Sequence, residues 1–173
     1  MDENAYLASI LASIFFLIAS ARLIRLHRRT RERPELLLGL YFACSGIYYL
    51  GYNTPSLLQF DAWPAPINLA IEWAYILGVF PYLLFIRSVF RPEAAWAGWF
   101  VAICSVCLLG GTLLFTQNGT VDYALTNPWF VVQWFGYTAP CFWLGWEAML
   151  YRQNATKRAR IGLCPPLAPM PRK

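Results

Sequence analysis

Residues 22–35 read RLIRLHRRTRERPE, with six arginines, the only histidine and two glutamates packed between two long apolar runs. Arg22, Arg25, Arg28, Arg29, Arg31 and Arg33 are the densest charge in the chain. Arginine beside a bilayer is retained on the cytoplasmic side, so this stretch acts as a topological lock. The rest of the chain is then a series of membrane crossings counted from it.

Composition requires lipid as the solvent. Of 173 residues, 58% are hydrophobic, 17% aromatic and only 13% charged. Soluble domains carry about 25% charged residues. So few charges, bunched as they are, leave too much apolar surface for one small aqueous fold. The net charge of +5 sits beside the apolar runs, where topology needs it. It is therefore not read as a nucleic-acid surface.

The uncharged runs are 4–21, 36–60, 62–71 continued by 73–86, 94–121 and 123–146. About 20 residues cross the hydrocarbon as a helix. The third run reaches that length only with Glu72 inside the span. Five helices are expected, near 5–26, 35–57, 66–89, 94–116 and 128–151. The fold class is all-α, a polytopic transmembrane bundle over residues 1–160. A Pro-rich cytoplasmic tail at 161–173 is expected to be disordered.

The basic residues test the count. Six lie between helices 1 and 2. Arg87 and Arg91 lie between helices 3 and 4, and six more follow helix 5; these are all fourteen. The other loops hold only Asp61 and Asp122, and the N-terminus Asp2 and Glu3. This alternation places the N-terminus outside and the C-terminus in the cytoplasm. With no basic n-region and no A-x-A-like site, the first helix is read as retained rather than cleaved. A bacterial inner or plasma membrane is the expected location.

Helix starts have local signals. Pro34 and Pro92 suit a first turn with no N–H to lose, and Glu35 and Glu93 suit the positive end of a helix dipole. Asn127-Pro128 opens helix 5 in the same manner. Small residues at helical spacing predict close helix contacts: Gly39, Ala43 and Gly46 in helix 2, Ser9 and Ser13 in helix 1, Gly98 and Ala102 in helix 4. Asn53, Trp63, Trp129 and Trp134 are expected in the outer loops or at the interface as anchors.

A hairpin repeat is suggested by R-x-x-x-R-P-E at 29–35 and again at 87–93. Leu50-Gly51 and Leu109-Gly110 follow, 59 apart, as do Glu72-Trp73 and Gln133-Trp134, 61 apart. The competing explanation is that Arg-Pro-Glu is what any cytoplasmic helix start prefers. A true repeat would make helix 5 the opening of a third unit, and the chain a short form of a six- or seven-helix protein.

Among candidate functional groups, Glu72 is the sharpest. A carboxylate about two turns into a span is costly and normally faces a bundle interior or a wet cavity. Tyr75, Ile76 and Val79 share its face. Helix 5 brings Gln133 and Tyr137 to similar depth, and Pro81 and Pro140 mark helix kinks. Glu72, Tyr75, Gln133 and Tyr137 are thus the candidate ligand-binding set. Glu147 is expected to pair with Arg152 or a neighbouring arginine.

Other patterns carry less. Cys104-x-x-Cys107 looks like the dithiol of quinone-linked membrane oxidases, but it lies deep in helix 4, where a thiolate is suppressed. His27 has no second soft ligand, so no metal site and no cofactor is expected. Asn118-Gly-Thr120 and Asn154-Ala-Thr156 fit a glycosylation pattern too common to use. No nucleotide-binding loop, HExxH or nucleophile elbow is present.

The expected function is therefore non-enzymatic: a sensing or binding bundle with an outward-facing pocket near Glu72. The alternatives are an assembly subunit of a membrane complex and a small, proton-coupled secondary transporter. Expected partners are the bilayer, anionic lipid at the cytoplasmic face, and other membrane proteins or a second copy, with no nucleic acid.

Overall fold

The computed structural model describes residues 3–58, 63–116 and 126–160. Five α-helices occupy them: α1 Glu3–Thr30, α2 Arg33–Leu58, α3 Ala65–Phe90, α4 Ala95–Thr116 and α5 Pro128–Arg160. At 1.5 Å per residue they run about 33–50 Å, enough to cross a hydrocarbon layer of about 30 Å. The segment 161–173, expected to be a disordered tail, and Asn118-Gly-Thr120 lie outside the described residues.

The burial pattern is inverted relative to a soluble protein. Ser13, Ser20, Ser45, Asn53, Glu72, Thr112 and Gln133 are buried. Leu7, Leu11, Ile14, Phe15 and Ile18 form an exposed stripe on α1, with Leu11 at 66% and Phe15 at 64%. Apolar side chains outside and polar ones inside are stable only in an apolar solvent. Among the described residues, three helical segments are long and apolar enough to cross a membrane: Leu7–Thr30, Ala65–Phe90 and Ala95–Leu114. The chain is a helical membrane protein. Helices α2 and α5 have the length, but Tyr, Gly, Thr, Asn and Trp dilute their apolar character.

The chain divides into two compact units, Met1–Pro140 and Cys141–Lys173. In the first, α1 packs on α2, α2 on α3, and α3 on α4. The core follows α3, where Ile76, Val79, Leu83 and Ile86 are at most 1% exposed. In the second, the rest of α5 carries Trp143, whose indole N–H donates to Glu147 Oε1 at 3.2 Å. The indole, one turn back on the same helix, is a partner that charge spacing does not reveal.

Helix ends depart from the sequence expectation in instructive ways. The link between α1 and α2 is only Arg31 and Glu32. Arg31 takes a left-handed φ of 63°, and its N–H reaches back to the His27 carbonyl at 2.8 Å, a C-terminal cap usually given to glycine. His27 Nδ1 lies 2.7 Å from the Glu32 carbonyl, and Thr30 Oγ1 donates to Glu35, so the turn is stitched from both sides. Helix α1 thereby extends through the arginines to Thr30 rather than stopping near residue 26.

The second Arg-Pro-Glu frame behaves differently. Pro92 and Glu93 lie in the turn before α4, which begins at Ala95. They do not form its first turn, as the sequence suggested. The residue before proline resists helical dihedrals, and Arg91 caps α3 with φ −144°. The turn closes through Ala94 N–H to the Arg91 carbonyl. Asn127 does cap α5: its Oδ1 accepts from Trp129 N–H at 3.1 Å.

Glycines set the helix spacing. A Cβ on Gly46 would lie 2.8 Å from Leu17 of α1, and one on Gly39 3.1 Å from Ile24. A Cβ on Gly78 of α3 would strike Cys44 of α2, and one on Gly51 of α2 would lie 2.9 Å from Ile71 of α3. Between α4 and α5, a Cβ on Gly111 would lie 2.7 Å from Gln133 N. One on Gly136 would lie 2.8 Å from Leu108 and 2.9 Å from the Cys104 carbonyl.

Candidate functional site

The site begins with why Glu72 is tolerated. It falls seven residues into α3, about 10 Å along the axis, on the face that also carries Ile76 and Val79. That face is the buried one, so Glu72 is only 4% exposed. A carboxylate is acceptor-only and needs donors. Gln133 Nε2 donates to Glu72 Oε1 at 3.0 Å. Gln133 is itself 6% exposed and sits five residues into α5, where the absent side chain of Gly111 lets its backbone approach α4. A hydrogen bond between charged and neutral buried groups is stronger than a neutral pair and costly to break.

Glu72 and Gln133 form part of the wall of a cavity of about 300 Å³. Tyr75 from α3 and Tyr137 from α5 line it too, so the four candidate residues meet at one cavity. The structure adds Tyr48 and Tyr49 from α2, which sequence reasoning missed. Tyr48 and Tyr75 rings lie 4.4 Å apart, and Tyr75 and Tyr137 5.6 Å apart. Tyr48 also contacts Tyr49 at 5.4 Å and Tyr52 at 6.0 Å. Ile76, Leu108 and Phe130 supply apolar wall, and Trp134 closes one side. The available signal was depth: Tyr48 and Tyr49 lie ten and nine residues before the end of α2, and Glu72 seven residues past the start of α3.

Among the described residues, the cavity lining holds one carboxyl group and no Lys, Arg or His. Gln133 Oε1 is buried without a hydrogen-bond partner, an uncommon and costly state for an amide oxygen. The arrangement offers a carboxyl group, aromatic faces and one unused acceptor. Pro81 lies inside α3, beyond Glu72, and Pro140 inside α5, beyond Gln133.

Cys104 is fully buried and Cys107 half-buried, both as free thiols; the carbonyl of Cys104 meets Gly136. Asn53, expected in a loop, is inside α2 and 4% exposed. It donates to Ser9 Oγ at 2.7 Å and to the Tyr49 carbonyl at 2.5 Å. Trp129 and Trp134 are 42% and 54% exposed, as anchors would be. At the arginine-rich end, Arg33 of α2 and Arg87 of α3 line a second cavity of about 490 Å³ with Ser88, Leu36 and Leu84.

No protein-family model, curated protein sequence or solved structure matches the chain.

Proposed function

We propose that the protein is a five-span binding or sensing bundle of the plasma membrane. Its N-terminus is outside, its C-terminus cytoplasmic, and its tyrosine-lined cavity opens toward the outer half. The observation that carries this reading is the buried Glu72–Gln133 pair in the cavity wall. Buried polar groups in lipid are expensive, and a cavity lined by convergent polar and aromatic groups is the usual form of a ligand site. A thermal-unfolding screen of the purified protein in detergent tests it. A ligand at about 100 times its Kd adds about 2.7 kcal/mol and raises the Tm by several degrees. Silence across charged, neutral and aromatic small molecules would remove the reading. Purification with a stoichiometric membrane partner would favour an assembly subunit.

A transporter is the second reading, supported by Pro81 and Pro140. Both lie past the polar pair on helices of the same direction, where they free backbone carbonyls and permit bending. Vesicle uptake that disappears in Glu72→Gln is its test.

At the other end, Arg33, Arg87 and Ser88 beside leucines have the chemistry of an anionic lipid headgroup seat. Loss of anionic-lipid co-purification in Arg33→Gln/Arg87→Gln would support that role. Unchanged lipid content would remove it.

A further inference from the structure

We infer that the exposed face of α1 seats an anionic lipid that carries two phosphate groups. This seat needs α1 to stand in lipid and is independent of the tyrosine-lined cavity. Leu7, Leu11, Phe15 and Ile18 recur at steps of four, four and three residues, and Arg22, Arg25 and Arg29 continue at four, three and four. At 3.6 residues per turn these seven residues fall along one stripe of the helix. All seven are exposed. The opposite face is the one that packs on α2: Leu17 meets Gly46, Ile24 meets Gly39, and Ser20 donates to the Gly39 carbonyl.

The stripe changes character once, after Ile18. Beyond it Arg22, Arg25, Leu26 and Arg29 line a groove of about 350 Å³, and among the described residues no acidic side chain lines it. That is the outline of a lipid, with an acyl chain along Leu11, Phe15 and Ile18 and a headgroup where the arginines reach out of the hydrocarbon. A guanidinium holds phosphate through parallel N–H donors. Arg22 and Arg25 are one turn apart, with about 5–6 Å between Cβ atoms, so one phosphate can bridge them. Arg29 lies about 10 Å along the axis from Arg22, and its donors are left for a second phosphate. A second copy of the chain docked in parallel would set arginine against arginine at one depth, which repels. Charge therefore favours a lipid over another copy. The groove is separate from the cavity at Arg33 and Arg87, which residues of α2 and α3 line.

The test is native mass spectrometry of the full chain in mild detergent, titrated with three probes. These are diphosphatidylglycerol, with two phosphates and acyl chains; phosphatidylglycerol at twice the concentration, with one phosphate; and glycerol bisphosphate, with two phosphates and no chain. The two-phosphate lipid is expected to bind about tenfold more tightly than either comparator, a factor equal to about 1.4 kcal/mol. Arg22→Gln/Arg25→Gln/Arg29→Gln is expected to erase that preference, and Arg25→Gln alone to reduce it about threefold. Arg28→Gln/Arg31→Gln/Arg152→Gln removes the same charge away from the groove and is expected to keep the preference.

Equal binding of the two lipids to the unaltered protein would overturn the two-phosphate seat. Equal binding of glycerol bisphosphate would overturn the role of the apolar stripe and leave a plain phosphate site. Equal losses in the two triple variants would overturn the location, since net charge would then explain the binding. A chain that carries a second copy or another protein in place of the lipid would overturn it as well. The lipid comparison uses the unaltered chain, so a variant that misfolds does not decide the outcome. Each of these results leaves the small-molecule screen of the tyrosine-lined cavity to stand or fall by itself.

Discussion

Asn53 shows what one polar side chain does in a lipid solvent. It is buried in α2 and donates to Ser9 on α1 as well as to its own helix. Ser20 adds a second tie, donating to the Gly39 carbonyl at 2.8 Å. Interhelical hydrogen bonds in membranes contribute about 0.6–2 kcal/mol each. Asn53→Leu should therefore lower the unfolding midpoint in detergent by a few degrees, with Ser9→Ala losing little more in the Asn53→Leu background. Strict additivity of the two changes would show that the bond contributes nothing. Sequence reasoning placed Asn53 among the outer anchors, because an asparagine close to a loop is ordinarily solvated. Glu72 was legible for the opposite reason: an ionisable group far inside an apolar run has few places to go. Gln133 and Tyr137 followed from matching its depth on α5. Tyr48 and Tyr49 did not, because tyrosines in an apolar run read equally well as packing, and only the fold shows which face of α2 meets α3.

The hairpins α2–α3 and α4–α5 are built on matching contacts. Gly78 meets Cys44 in the first and Gly136 meets Cys104 in the second; Gly51 meets Ile71 and Gly111 meets Gln133 in the same order. Each pair recurs with an offset of about 60 residues, which is the offset of the sequence rhyme. The glycine packing thus supports a duplicated hairpin more than the Arg-Pro-Glu frame does, since that frame opens α2 at Pro34 but leaves Pro92 in a turn. Not every glycine takes part. A methyl added at Gly110, in the Leu-Gly rhyme, would meet nothing within 4 Å, so that rhyme is not a packing equivalence. This separates the variants. Gly78→Ala and Gly136→Ala force helices apart and should each cost about 1–3 kcal/mol. Gly110→Ala should be neutral or stabilising by up to about 1 kcal/mol through helix propensity. Thermal unfolding of the three variants checks it; equal effects at all three positions would mean the close approaches do not hold the hairpins. Helix number was legible from the apolar runs and charge spacing, while helix ends were not: α1 runs to Thr30 rather than 26, and α5 to Arg160 rather than 151. Whether a chain turns at a proline or starts a helix there depends on how the preceding helix is capped.

For the chain as a whole, the question is whether α2 crosses the membrane, since it is less apolar than α1, α3 and α4. Packing bears on this more than hydropathy does. Arg33 at the start of α2 and Arg87 near the end of α3 line one cavity, while Gly51 and Ile71 touch toward the other end. The two helices are therefore an antiparallel pair of equal length, 26 residues each, in register along their span. If α3 crosses, α2 lies beside it through the same depth. A three-span arrangement that leaves α2 on the cytoplasmic side would also put Arg87 and Arg91 outside, against the rule that holds basic residues in the cytoplasm. Its tyrosines lower its hydropathy, and two of them, Tyr48 and Tyr49, line the cavity. Reporter fusions at residues 61 and 122 should therefore show an outside location, and fusions at 92 and 160 a cytoplasmic one. A cytoplasmic signal at 61 would exclude α2 as a span and, with it, the outward orientation of the cavity. Replacing Arg22, Arg25, Arg28, Arg29, Arg31 and Arg33 by glutamine should shift residue 61 to a mixed signal, because the first basic loop usually dominates orientation while the eight remaining basic residues still favour the original one.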